Sequence, residues 1–316
     1  MLGVAALFAS AIHAQQPEWP AKPITLLVPG GTGGVIDIRA RWLAPRLSTL
    51  LGQPVVVENR AGAGGFTGTA AGAKAAPDGY TFVMVHQGTM AIAPHMKADL
   101  GYAPLRDFTP VTRVGFGSLA LVVTPTLDVR SVDDLVKLMK SKPGTLNYGS
   151  PGVASPPHLA SELFQLETGT KAAHIPYKGG GQAASDLIGG HVDFEIEGLQ
   201  VMVPQILEGR VRALAVTGKQ RVASIPNVPT MAEAGYPGSA YEGWVGIVAP
   251  AGTPAPIVKK MYDALSKVLL GPEGREFFAK AGAEAGADPP EAFAAIIKAD
   301  YDRWAKLVPA MGLKAE

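Results

Sequence analysis

The chain contains no cysteine. That absence removes thiolate nucleophiles, thiolate zinc and iron–sulfur sites, disulfides, and the lipid-bearing cysteine of a lipoprotein. Neither sign of charge is in excess: 28 Lys and Arg against 27 Asp and Glu leave +1. With no basic surplus and no basic run, the electrostatic footprint of a nucleic-acid-binding protein is missing, and no such partner is expected. Charged residues make up 17% against 47% apolar, which excludes a self-repelling disordered chain and leaves ample material for a core. No apolar run approaches the roughly 20 residues that a membrane-spanning helix needs, so the chain is not expected to be membrane-embedded. What is plentiful is glycine and proline, 38 and 27 residues. They cluster between apolar runs, which reads as many tight turns rather than low complexity. A length of 316 residues suits about two domains or one large one.

Leu2 to Ile12 is apolar with small residues, and Ile12-His13-Ala14 leads into polar Gln15-Gln16. This has the hydrophobic region and small-residue cleavage site of a secretory signal peptide. No Lys or Arg precedes the apolar run, so the reading is a signal peptide shortened at its start. Residues 1–14 are left out of the fold, and the remainder is expected to be exported and soluble.

Periodicity then alternates between strand and helix. Ile24 to Val28 is a short β-rich run stopped by Pro29-Gly30-Gly31. Ile36, Ala40, Leu43, Leu47 and Leu50 follow at helical spacing, with Pro45 expected to kink or break the helix. Val55 to Val57, Tyr80 to Val85, Leu119 to Val123, Arg212 to Val216 and Trp244 to Val248 read as further strands. Glycine-rich Gly62 to Gly68 and Pro77-Asp78-Gly79 read as turns. Ser131 and Asp134 have capping-box spacing ahead of a helix, and Pro156-Pro157 suits the first turn of another. Asn147 to Ser150 ends a short strand. In the next strand Val192, Phe194 and Ile196 alternate with Asp193, Glu195 and Glu197, whose face is expected to be solvated. Phe293, Ile297, Tyr301, Trp304 and Val308 line one face of a last helix. Such alternation implies an α/β protein with parallel strands and crossover helices.

Catalytic and cofactor signatures are absent. Gly31-Thr32-Gly33-Gly34 sits between strand and helix, where free backbone N–H groups suit an anion. It lacks the Gly-Lys-Ser/Thr of a phosphate loop, and Ile36 occupies the third glycine position of a dinucleotide fingerprint. The Gly62 loop fails likewise at Thr67. There is no Gly-x-Ser-x-Gly, no Ser-x-x-Lys and no His-Glu-x-x-His. His86, His95, His158, His174 and His191 are scattered, so no metal and no cofactor are expected. Four polar turns remain at strand ends: Gly30 to Gly34, Gln87 to Thr89, Ser150 to Ser155 and Lys178 to Gly181. Ligands of open α/β sheets bind at the carboxyl ends of strands, and converging turns of this kind would suit a carboxylate.

Gly33-Gly34-Val35-Ile36-Asp37-Ile38-Arg39-Ala40-Arg41 resembles the first loop of the Bug/TctC family of tripartite tricarboxylate transporter binding proteins. The resemblance continues through Gly52-Gln53-Pro54-Val55-Val56-Val57-Glu58-Asn59-Arg60, Pro77-Asp78-Gly79-Tyr80 and Pro176-Tyr177-Lys178-Gly179. It closes at Ala249-Pro250-Ala251-Gly252-Thr253-Pro254, so it covers nearly all of the chain after residue 14. It implies a two-lobed type II periplasmic-binding-protein fold, with mixed sheets flanked by helices and a ligand cleft between the lobes. The first lobe is expected at 22–124 and 237–316 and the second at 125–236. The chain crossings then fall near Thr124-Pro125 and between Tyr236 and Trp244. The implied role is a periplasmic, monomeric binding protein for a small organic acid, delivering it to membrane permease subunits. Two other readings stay open: a periplasmic sensor signalling to a membrane partner, and an exported hydrolase.

Carried over by position, the first-lobe ligand contacts are Thr32, Gly33, Gly34 and Asp37, with His86, Gln87 and Thr89. Second-lobe contacts are Ser150, Val153, Ala154, Ser155, Tyr177, Lys178, Gly179 and Glu197. Asp37 is expected to order its loop, and His158 to cap the second-lobe turn. Two departures from the family pattern are assigned to specificity. Gly30 replaces a customary aromatic residue and widens the cleft. Glu195 stands where an apolar residue is usual, and together with Glu197 it would repel an anion unless the ligand carries a donor.

Overall fold

The computed structural model describes residues 18–310. The expected signal segment lies outside the described residues. In chain order the regular elements are β1 (Ile24–Val28), α1 (Val35–Leu51), β2 (Val55–Asn59), α2 (Phe66–Ala73), β3 (Thr81–His86), α3 (Ala93–Met96) and β4 (Phe108–Val123). Then come α4 (Val132–Ser141), β5 (Asn147–Ser150), α5 (Pro156–Thr168), β6 (Ala173–Pro176), α6 (Gly180–Ile188), β7 (Phe194–Gly198), α7 (Leu199–Leu207) and β8 (Arg212–Val216). The chain closes with β9 (Glu242–Pro250), α8 (Ala255–Leu270), α9 (Pro272–Lys280), β10 (Ala283–Ala285) and α10 (Pro290–Ala310).

The local signals act where the residues place them. The Ser131 hydroxyl accepts from the Asp134 amide at 3.1 Å, and the Asp134 carboxylate accepts from the Arg130 amide at 3.2 Å. Gly52 ends α1 at φ +70°, a conformation that costs a residue without Cβ little. α1 runs through Pro45, which lies on its exposed side, so no break occurs there. Its buried stripe is Ala40, Leu43, Ala44, Leu47 and Leu51; Leu50, expected inside, is on the solvent side.

Two sheets share one strand. In the first, β1 pairs in parallel with β2 and β3, and β9 pairs antiparallel with β3 and β4. In the second, β4 pairs antiparallel with β7 and β8, while β5 pairs in parallel with β6 and β7. β4 changes sheets without a turn: up to Ser118 it faces β9, and from Leu119 it faces β7. This change of sheet falls upstream of Thr124-Pro125, and a continuous strand leaves no turn signal for it in the sequence. The chain returns to the first sheet at Tyr241 and Glu242, where the Tyr241 amide donates to Thr217 O at 3.0 Å and β9 begins.

Both faces of the second sheet are covered. On β4, Leu119, Leu121 and Val123 join one core cluster and Ala120 and Val122 another. That explains why its sequence is a continuous apolar run rather than an alternating one. β7 lies between β4 and β5 and is buried throughout, so the face bearing Glu195 and Glu197 is not solvated. Here the burial of β7 comes from the elements packed on both of its faces, whatever its polar period suggests.

Candidate functional site

A cavity of about 100 Å³, open to solvent, lies where the carboxyl ends of β1, β3 and β7 meet. The turn after β1 brings Gly30, Gly31 and Gly34 to its wall, and the loop before α6 brings Lys178, Gly179 and Gly180 from the other sheet. The two turns touch: the Gly31 amide donates to the Lys178 carbonyl at 3.0 Å. A Cβ on Gly31 would stand 2.9 Å from that carbonyl oxygen, and one on Gly34 3.3 Å from the Gly180 nitrogen. Only residues without side chains let two backbones approach so closely. A second approach pairs Gly64 with Val153, where a Cβ on Gly64 would overlap the Val153 carbonyl.

Asp37, His86, Ser155 and Glu197, like the glycines, line this cavity. Asp37 is fully engaged by the protein. Its carboxylate accepts from the Gly33 amide at 2.9 Å, from Arg41 Nε at 2.9 Å and from Asn59 Nδ2 at 2.9 Å. Burial works to raise its pKa, but the bonds from Arg41, Gly33 and Asn59 prevail and hold it below the usual value. His86 is buried with Nδ1 unpartnered, and burial lowers it to about 4, so its imidazole is neutral at neutral pH.

The remaining expected contacts lie outside the lining. Thr32 and Gly33 are exposed. The Gln87 amide is held by Asp300 at 2.8 Å and by the Tyr241 hydroxyl at 2.6 Å. Thr89 Oγ1 donates to the His86 carbonyl at 3.1 Å. Ser150 Oγ meets His174 Nε2 at 2.7 Å, but Ser150 is fully buried and away from the cavity. This pair and its neighbour His158, whose ring centre lies 4.3 Å from that of His174, are brought together only by the fold. The Ala154 amide donates to His158 Nδ1 at 3.2 Å, Val153 approaches Gly64, and the Tyr177 hydroxyl donates to Asp186 at 2.7 Å. Glu195 is packed beneath Gly149, with neither carboxyl oxygen partnered. Its burial, and the nearby charges of Glu197 and Asp186, raise its pKa well above the usual carboxyl range.

The cavity also exposes residues that the sequence did not single out. Chief among them is Arg39, 5% exposed, on the inner face of α1. Its Nε donates to Gln200 Oε1 at 2.8 Å, its Nη1 to the Gly115 carbonyl at 3.3 Å, and the guanidinium stands 5.0 Å from the centre of the Phe278 ring. Burial alone lowers it to about 9, so it remains a cation at neutral pH. Its position one residue before Ala40, on the apolar face of α1, is the signal that would have found it. Gly30 faces open space: a Cβ there would meet nothing within 4 Å.

Comparison with known proteins agrees with this architecture. The family described as "Tripartite tricarboxylate transporter family receptor" (TctC) matches residues 39–313. Protein BugT of Bordetella pertussis (strain Tohama I) is 38% identical over 319 residues, covering 99% of this chain and 98% of its own length. The structure of the periplasmic binding protein BugD superposes with a TM-score of 0.90 at 34% identity, covering 94% of this chain and 100% of that one. An R. palustris protein solved with adipate superposes with a TM-score of 0.91 at 36% identity, covering 94% and 99% of the two chains. The fold is the two-lobed α/β architecture of periplasmic binding proteins. The chain belongs to the TctC/Bug family of solute-binding proteins.

Proposed function

We propose that this chain is a periplasmic receptor that closes two lobes on a small organic carboxylate and presents it to the permease of a tripartite tricarboxylate transporter. The observation that carries this reading is the cavity itself, walled by backbone from both sheets and holding a buried Arg39 with no carboxylate partner among the described residues. The R. palustris relative solved with adipate gives the same ligand class. On this reading Gly30, Gly34, Lys178 and Gly179 border the ligand, and His86 and Ser155 supply polar side chains. Asp37 acts on the ligand through the loop it holds. The hinge is placed at the Ser118–Leu119 and Tyr241–Glu242 passages, where lobe closure moves two strands rather than a loop.

The test is thermal unfolding of the purified chain against mono-, di- and tricarboxylates, aliphatic and aromatic. An acid that binds only the folded state, at 100 times its dissociation constant, adds about 2.7 kcal/mol and raises the midpoint clearly. A folded sample that responds to no acid overturns the carboxylate assignment. Delivery to a permease is tested separately, by whether deleting this protein abolishes uptake of the acid so identified.

A further inference from the structure

The cavity carries two buried groups of opposite character, one from each side. From the first lobe comes Arg39, a cation whose Nε and Nη1 donate to uncharged oxygens only. From the second comes Glu197, 2% exposed, whose Oε1 accepts from its own neighbour's amide, Gly198, at 2.6 Å. Its Oε2 has no partner and rests against Gly180, where a Cβ would stand 2.8 Å away. Gln200, the residue that holds Arg39, follows Glu197 by three positions. Arg39, Gln200 and Glu197 all line the one cavity, so a single ligand in it can meet both groups.

A buried charge without a counter-charge and a buried acceptor without a donor are each costly. Here both face the same space. Pairing with each other is not what the structure shows, since Arg39 has no carboxylate neighbour. Above about pH 7, where Glu197 is ionised, a dicarboxylate would satisfy Arg39 but set its second anion against Glu197. A ligand with one carboxylate and one hydrogen-bond donor satisfies both groups.

We propose that the ligand is a carboxylic acid with a hydrogen-bond-donating group at its far end, its carboxylate seated on Arg39 and its donor, such as a carboxamide, on Glu197. This deepens the receptor reading above and rests on it. Selection against the second carboxylate then comes from repulsion by Glu197 as much as from attraction to the donor.

The experiment is calorimetric titration, at pH 8, of pairs matched in length: succinate with succinamate, glutarate with glutaramate, adipate with adipamate, terephthalate with its monoamide. We expect the monoamide of a binding pair to bind at least about tenfold tighter than its dicarboxylate, the loss incurred when a buried polar group meets no partner. Glu197→Gln should abolish or reverse that preference, and Arg39→Met should weaken both members at least about tenfold. A dicarboxylate that equals or exceeds its monoamide in every pair that binds overturns the inference and leaves the carboxylate reading standing. Failure of every acid, in these pairs and in the broader panel, overturns both. The wild-type comparison needs no variant, so a misfolded Arg39→Met does not prevent a decision.

Discussion

The amide of Gly31 and the carbonyl of Lys178, on opposite sides of the cavity mouth, form a 3.0 Å hydrogen bond. The two backbones meet without an intervening side chain, so closure of this cleft depends on atoms common to every residue and on the absence of one Cβ.

If the lobes close on ligand as proposed, Gly31→Ala should act mainly on the closed form. The new methyl would stand 2.9 Å from the Lys178 oxygen. Overpacking of this kind costs about 1–3 kcal/mol, here charged to the closed state. We expect ligand affinity to fall about 5- to 150-fold, with the unfolding midpoint of the ligand-free protein little changed. Unaltered affinity in calorimetry would refute the assignment of this contact to the closed, ligand-holding form.

Gly30→Phe tests cleft width. The position borders the cavity, and a Cβ there meets nothing within 4 Å, so the ring has room to enter the ligand space. Affinity for an aromatic or long acid should drop by at least about tenfold, while a short acid keeps most of its own. Equal binding of the bulky ligand by both proteins would show that Gly30 does not set the width.

Asp37→Ala removes the acceptor of the Gly33 amide, Arg41 and Asn59 together. Leaving partly buried donors unpaired costs about 1–3 kcal/mol, and chemical denaturation should report a loss of that size. Asp37→Asn keeps an oxygen for Gly33 and should fall between the two. If Asp37→Ala weakens binding without loss of stability, the carboxylate touches the ligand rather than the loop.

Glu197 gives a pH signature of defined sign. Burial raises its pKa from 4.5 to about 7, while the Gly198 amide pulls it down. A carboxyl raised on folding is most favourable when protonated, so its contribution is full below about 4.5 and is lost as pH rises through about 7. The displacement corresponds to about 3 kcal/mol. His86, His158 and His174, each lowered to about 4 chiefly by burial, act oppositely: they cost stability as pH falls below 6.5. The measurement is therefore the difference between Glu197→Gln and wild type, ligand-free. The variant should be nearly neutral at pH 4.5 and increasingly more stable toward pH 8. A difference independent of pH would mean that Glu197 is not proton-bound in the folded state.

Much of the fold could be read from neighbours in the chain. The capping pair Ser131 and Asp134, the double proline before α5 and the turns at strand ends act over a few residues, so their effect survives into the structure. The second half of β4 was legible as an apolar run, whereas Phe108 to Ser118 was not, because its pairing with β9 comes from far along the chain. The site divided in the same way. The glycines of the first turn were visible as a loop between strand and helix. Gln87, Ser150 and Tyr177 looked equally polar and equally well placed, yet each is held by a partner outside its own turn and none lines the cavity.

The sequence by itself determined the family, many of the strands and helices, and most of the polar turns that border the cleft, since these rest on local periodicity and on motifs in a fixed order. Only the tertiary structure decided that Glu195 and Glu197 are buried rather than solvated, and that Arg39 and Glu197 face one space. Burial and convergence depend on which elements lie above, below and across from a residue, and packing sets those neighbours, not adjacency along the chain.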